Sequence, residues 1–164
     1  MWHSAQLIKV LAFGAIACLS GCVASPSAGP AKAPPTVIAG GETLVGVDLG
    51  SGVSAFLGVP YAAAPVGDLR WHRAKPHTAR PGPVDASRYG PACPQSQGNP
   101  EWYRMVAEGF GNDPSAIPDL THMDEDCLYL NVWAPEEAGS GPLPVMIWLH
   151  GGSNVNGWAY EPNY

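Results

Sequence analysis

Residues 143–157 read LPVMIWLHGGSNVNG, and the fold turns on how that stretch is understood. Residues 145–149 form a short unbroken apolar run, preceded by a Pro- and Gly-rich lead-in and followed by two glycines. Five residues are too few for a buried helix, and Pro144 before the run with Gly151 and Gly152 after it favour a strand. A continuous apolar run is the pattern of a strand buried on both faces of a parallel sheet, so the expected class is α/β. Two glycines directly after such a strand open backbone conformations closed to residues with side chains. Successive amides can then turn outward together, which is what an anion-binding concavity requires. The plainer alternative is a tight turn after a strand.

His150-Gly151-Gly152-Ser153 resembles the HGGG-type oxyanion loop of α/β-hydrolase esterases, in particular the type-B carboxylesterases or cholinesterase-like group. The resemblance implies the N-terminal portion of an α/β-hydrolase fold, with an incomplete central sheet. It also implies that the amides of Gly152 and Ser153 bind the carbonyl oxygen of an ester substrate while Gly151 shapes the turn. Ser153 departs from the more usual Gly or Ala, and Asn154 stands where an aromatic residue is common. The amide of Ser153 is available all the same.

Two upstream segments carry the same resemblance. Phe56-Leu57-Gly58-Val59-Pro60-Tyr61-Ala62 and then Pro65-Val66-Gly67-Asp68-Leu69-Arg70-Trp71 are similar to the family's Phe-x-Gly-Ile-Pro-Tyr-Ala and Pro-x-Gly-x-x-Arg-Phe, in the family's order. Trp71 replaces Phe. In the family the arginine of this motif pairs with the glutamate that precedes Asp-Cys-Leu, here Glu125. A guanidinium offers a planar fork to a carboxylate, and the implied Arg70–Glu125 pair would fix a long loop at the rim of the active-site gorge. The alternative is a solvated surface pair worth little.

Working outward, the N-terminus reads as a leader. Lys9 precedes a small and apolar run over residues 10–20, too short to span a bilayer but suited to a signal sequence. Leu19-Ser20-Gly21-Cys22 resembles a bacterial lipobox, which implies cleavage before Cys22 and acylation of that residue. Multiple acyl chains anchor stably where one is marginal. The expected organisation is a lipoprotein-type signal peptide over 1–21, a Pro/Ala/Ser-rich tether over 22–39, and the body over 40–164. The protein would then be exported and held at the bacterial cell envelope, periplasmic or surface-exposed. An ordinary secretory signal with an incidental Cys22 is the alternative.

Cys18 leaves with the leader and Cys22 is the lipidation candidate, so Cys93 and Cys127 remain. The resemblance implies a disulfide between them, which an exported chain can keep. A loop of this size stabilises by roughly 4 kcal/mol in the chain-entropy description. Two free thiols are the alternative. A metal site is disfavoured because no Cys-x-x-Cys or paired-His spacing accompanies them. Nothing in the motifs implies a cofactor.

Apolar residues make up 46% and charged residues 13% of the 164, which excludes a disordered chain. Lys and Arg number 8 against 14 acidic residues with no basic cluster, so nucleic acid is not an expected partner. With 20 Gly and 18 Pro, long loops should separate the ordered elements. A hairpin is expected from segments 43–49 and 53–57 around Gly50-Ser51-Gly52. A helix should begin at Asn99-Pro100-Glu101, capped by Asn99, with Trp102, Met105 and Val106 sharing one face and Gly109 as its stop. Asp124, Glu125 and Asp126 are adjacent and do not converge as an acid/base pair; they lead into a strand over 128–133 whose apolar members are Leu128, Leu130 and Val132. His72, His77 and His122 read as solvated, and His150 as a residue that orients its loop.

A serine esterase also needs a nucleophile on a Gly-x-Ser-x-Gly elbow, an acid and a histidine. No such pentapeptide occurs in the sequence. Gly151-Gly152-Ser153-Asn154-Val155 comes nearest, with Val155 where the second glycine belongs. The expectation is therefore an N-terminal part of a lipid-anchored carboxylic ester hydrolase acting on a small-molecule ester, inactive by itself. The alternative is a non-catalytic surface adhesion or binding protein of the same fold.

Overall fold

The computed structural model describes residues 32–137, 139 and 141–161. The leader, Cys22, most of the tether and Tyr164 lie outside the described residues. The last residues assigned to the tether are ordered. Thr36–Ala39 forms strand β1, antiparallel to β2 (Glu42–Val45), which in turn pairs in parallel with β5 (Pro83–Asp85). The body thus begins inside the 22–39 segment.

The expected hairpin exists but is shorter than its sequence pattern. Gly46 gives its amide to the Pro35 carbonyl at 2.8 Å, and this break splits the segment. Glu42–Val45 stays in the first sheet, while β3 (Val47–Asp48) turns back antiparallel onto β4 (Val53–Pro60). Strand β6 (Tyr129–Pro135) covers the other edge of β4, so the second sheet runs β3-β4-β6. The sheets meet where Ala86 donates to Val45 at 2.8 Å and accepts from Leu57 at 2.7 Å. Leu44, Phe56 and Ala86 form the buried cluster at that seam, with Val59 and Val84 packed on it.

Gly58 explains why the motif on β4 holds a glycine at this point. The β4–β6 register slips between Phe56 and Val59, and Gly58 sits in the slip at φ +63°. A Cβ there would meet the Arg88 carbonyl at 2.6 Å and the Gly90 amide nitrogen at 2.9 Å. Its own amide turns to Asn131 Oδ1 at 2.9 Å. Bulged positions of this kind re-aim a strand.

Helix α1 (Gly98–Gly109) starts two residues earlier than expected, with Gln97 at the cap position and no side-chain cap bond. Asn99 is not the cap. The face that Trp102 and Met105 share is not the buried one: Pro100 and Tyr103 are buried, whereas Trp102 and Met105 are 54% and 61% exposed. Tyr103 joins Ala92, Leu120 and Trp158 in a second cluster, with Ile117, Met123 and Tyr160 around it. Aromatic packing from distant segments, not the local apolar stripe, decides which face turns in. Arg104 fastens the helix to the following loop through the Ile117 carbonyl (2.9 and 3.0 Å) and Asp119 (2.6 Å).

Residues 145–149 form no strand among the described residues. They belong to neither sheet, and their five side chains are 64% to 94% exposed. A strand buried on both faces needs a neighbour at each edge and cover above and below. Neither of the two sheets supplies such an edge neighbour. Leu130 and Val132, two of the apolar members expected of β6, are likewise 39% and 43% exposed.

Candidate functional site

Residues 150–157 form a loop closed on itself. The Gly152 carbonyl accepts from the amides of Val155 and Asn156, each at 3.0 Å. Three successive residues take positive φ: Gly152 at +108°, Ser153 at +56° and Asn154 at +61°. For a serine that conformation costs on the order of 1 kcal/mol or more. With the turn satisfied through one carbonyl, the amides of Gly152 and Ser153 donate to no acceptor among the described residues. Gly151 is exposed, and its carbonyl lies 2.8 Å from His150 Nδ1.

The far end of the loop is held by the side-chain amide of Gln95. Gln95 takes the Gly157 amide on Oε1 at 2.7 Å and returns a bond from Nε2 to the Gly157 carbonyl at 2.9 Å. The same Nε2 reaches the Cys93 carbonyl at 3.1 Å. Gln97 repeats the device on Leu120, accepting its amide at 3.0 Å and donating to its carbonyl at 2.7 Å. A carboxamide has the donor and acceptor of a peptide group, so each glutamine acts as one residue of a strand partner.

Cys93 and Cys127 form a disulfide with Cα atoms 5.0 Å apart. Beside it, Ala92 and Met123 make an isolated parallel bridge, with Ala92 donating to His122 and accepting from Asp124, both at 3.0 Å. Arg70 Nη2 lies 2.5 Å from Glu125 Oε1, with the two side chains 53% and 41% exposed. Asp126 donates to Asp124 Oδ1 at 2.8 Å, so the acidic run is a turn, and the strand starts at Tyr129.

A hollow of about 100 Å³ sits between these parts, lined by Cys93, Cys127, Tyr129, His150, Gly157 and Tyr160 among others. Gly152 and Ser153 do not line it; Ser153 faces solvent. Tyr160 stacks on Tyr89 with ring centroids 4.9 Å apart, and burial pushes its phenol above the ordinary range. Trp158 is buried in the core. Ser153 Oγ has no hydrogen-bond partner among the described residues and His150 is engaged elsewhere, so no nucleophile–base pair forms here.

Several residues that organise the site carry no local sequence signal. Glu161, 4% exposed, accepts from Tyr103 Oη at 2.7 Å and Asn99 Nδ2 at 3.1 Å, which is where Asn99 is used. Asn131 Nδ2 donates to the Ala159 carbonyl at 3.0 Å. His77, expected in solvent, lies with Nε2 3.1 Å from Glu42 Oε1 because Glu42 is buried and draws donors to it. A lone Gln or Glu in a loop has no period and no spacing to betray it.

Among the described residues no cluster fit to hold a metal ion occurs, and no helix is long and apolar enough to cross a membrane. The family model described as "Carboxylesterase family" matches residues 37–164. A phenmedipham hydrolase of Pseudarthrobacter oxydans is 44% identical over 121 residues, covering 71% of this chain and 21% of that protein. A fumonisin B1 esterase of Sphingopyxis macrogoltabida is 43% identical over 112 residues, covering 68% and 18%. A solved PNB esterase superposes with a TM-score of 0.64 at 34% identity, over 77% of this chain and 23% of that one. The chain spans about a fifth of the length of the curated relatives it matches.

Proposed function

The chain belongs to the carboxylesterase family, and from that premise we propose that the protein it forms part of hydrolyses carboxylic esters through the turn at Gly152 and Ser153. The strands described here are a portion of the α/β-hydrolase fold. Attack on an ester carbonyl places negative charge on its oxygen. Amides already aimed at that charge stabilise it by roughly 3–4 kcal/mol without reorganising. The observation that carries the reading is that the Gly152 and Ser153 amides are unclaimed while their turn is closed through the Gly152 carbonyl. Gly151 and His150 set the approach of the chain to that turn.

Residues 1–164 supply the oxyanion donors and no nucleophile, acid or histidine of a triad, and by themselves give no turnover. The disulfide and the Arg70–Glu125 pair hold the loop that frames the site. Cys22 and the leader, on their sequence pattern, place the protein on the cell envelope through acyl chains. A Cys22→Ser variant should then lose labelled palmitate and leave the membrane fraction.

The test of function is direct. The protein expressed from its entire reading frame should release p-nitrophenol from short-chain p-nitrophenyl esters, with an initial burst of one equivalent per chain. Absence of any turnover sinks the assignment, and turnover by residues 1–164 alone sinks the division of labour.

A further inference from the structure

We propose that Gln95 is a positioning residue for the oxyanion turn, setting its place through Gly157; this rests on the function proposed above and deepens it. Among the described residues, loop 150–157 is tied to the rest of the chain by hydrogen bonds at its far end alone. Gln95 holds both polar groups of Gly157, and Ser96 Oγ lies 3.4 Å from Asn156 Oδ1. All other bonds of the loop run within it.

Fixing Gly157 fixes the turn. Gly157 is buried at φ +106°, and a Cβ there would run into the His150 ring and the Gly151 carbonyl. The two ends of the loop therefore touch, and a displacement of Gly157 carries His150 and Gly151 with it. Gln95 is in turn referenced to Cys93, through its bond to that carbonyl, and so to the disulfide with Cys127. The turn is thus referenced, through Gln95, to the disulfide side. A misplacement of the order of 1 Å at a reacting centre can cost about 100-fold.

Gln97 provides the control, because it makes the same two-point pairing with Leu120 in the core. Gln95→Ala and Gln97→Ala are compared in the protein expressed from its entire reading frame, with active sites counted by a phosphonylating ester. For Gln95→Ala, kcat per active site should fall about 10- to 100-fold with KM within about threefold. Affinity for a trifluoromethyl ketone, which mimics the tetrahedral adduct, should weaken by a similar factor. The Gly157 amide should also exchange deuterium faster. Gln97→Ala should lower thermal stability and leave kcat per active site and ketone affinity unchanged.

The inference is overturned if the two variants lose kcat equally, if the loss for Gln95→Ala disappears per active site, or if ketone affinity does not move. An inactive parent protein takes down the proposed function and this inference together. An active parent with an unaffected Gln95→Ala variant takes down this inference alone.

Discussion

Tyr103 donates its phenolic hydrogen to the carboxylate of Glu161 across 2.7 Å, joining α1 to a segment 58 positions further along. Glu161 is 4% exposed, and Asn99 supplies its other hydrogen bond, at 3.1 Å. Removing one donor from a buried carboxylate costs more than the bond itself, because the remaining group stays desolvated. Tyr103→Phe should lower stability by about 1.5–3 kcal/mol. Chemical denaturation checks it, and the double variant Tyr103→Phe with Glu161→Gln should cost less than the sum of the singles.

Glu42 makes the molecule sensitive to acid. It is buried in β2 and accepts from the Arg80 amide at 2.8 Å, Arg80 Nε at 2.9 Å and His77 Nε2 at 3.1 Å. The side-chain bond from Arg80 and then its backbone amide hold the carboxyl down to about 2, against the opposing push of burial. A carboxyl lowered in the folded state contributes its full stability above the unfolded value of 4.5 and loses it as pH falls toward 2. Stability should therefore decline across that window, and Glu42→Gln should flatten the decline. Denaturant titrations at pH 7, 4 and 3 decide it; parallel curves for the two proteins would refute the linkage.

Gly58→Ala tests the bulge. The new methyl meets two backbone atoms and the backbone must keep φ +63°. The expected loss is at least about 2 kcal/mol, with the β4–β6 pairing disturbed around Asn131. Thermal unfolding with hydrogen exchange of the β6 amides reports both.

Arg70→Ala should be mild. Both partners of the Arg70–Glu125 pair are about half exposed, and such pairs contribute at most about 1 kcal/mol. Raising the salt to 0.5 M should shrink even that difference. A loss several times larger would show that the arginine does more than meet Glu125.

The parts of the fold legible in the sequence are those whose constraint is local. The Phe56 to Ala62 motif announces itself because Gly58 cannot be replaced without collision. The helix at 98–109 is legible from Pro100 near its start, Gly109 at its end and the apolar residues between, but its buried face is not. Tyr103 is chosen over Trp102 and Met105 by Leu120, Trp158 and Glu161, none of which is nearby in sequence. Gly46 looks like one more residue of a hairpin strand, and only its bond to Pro35 shows that the strand divides there. At the site, the two glycines after the apolar run are conspicuous. Gln95, which holds the loop they begin, is one unremarked polar residue among many.

The bare ribbon at 145–149 has a colloidal consequence. It carries Val, Met, Ile, Trp and Leu largely into water with no charge along its length. Extended, greasy and uncharged segments of that length are where polypeptides stick to one another. A solution of this stretch of protein alone should cloud as it is concentrated, and faster in sulfate than in dilute buffer.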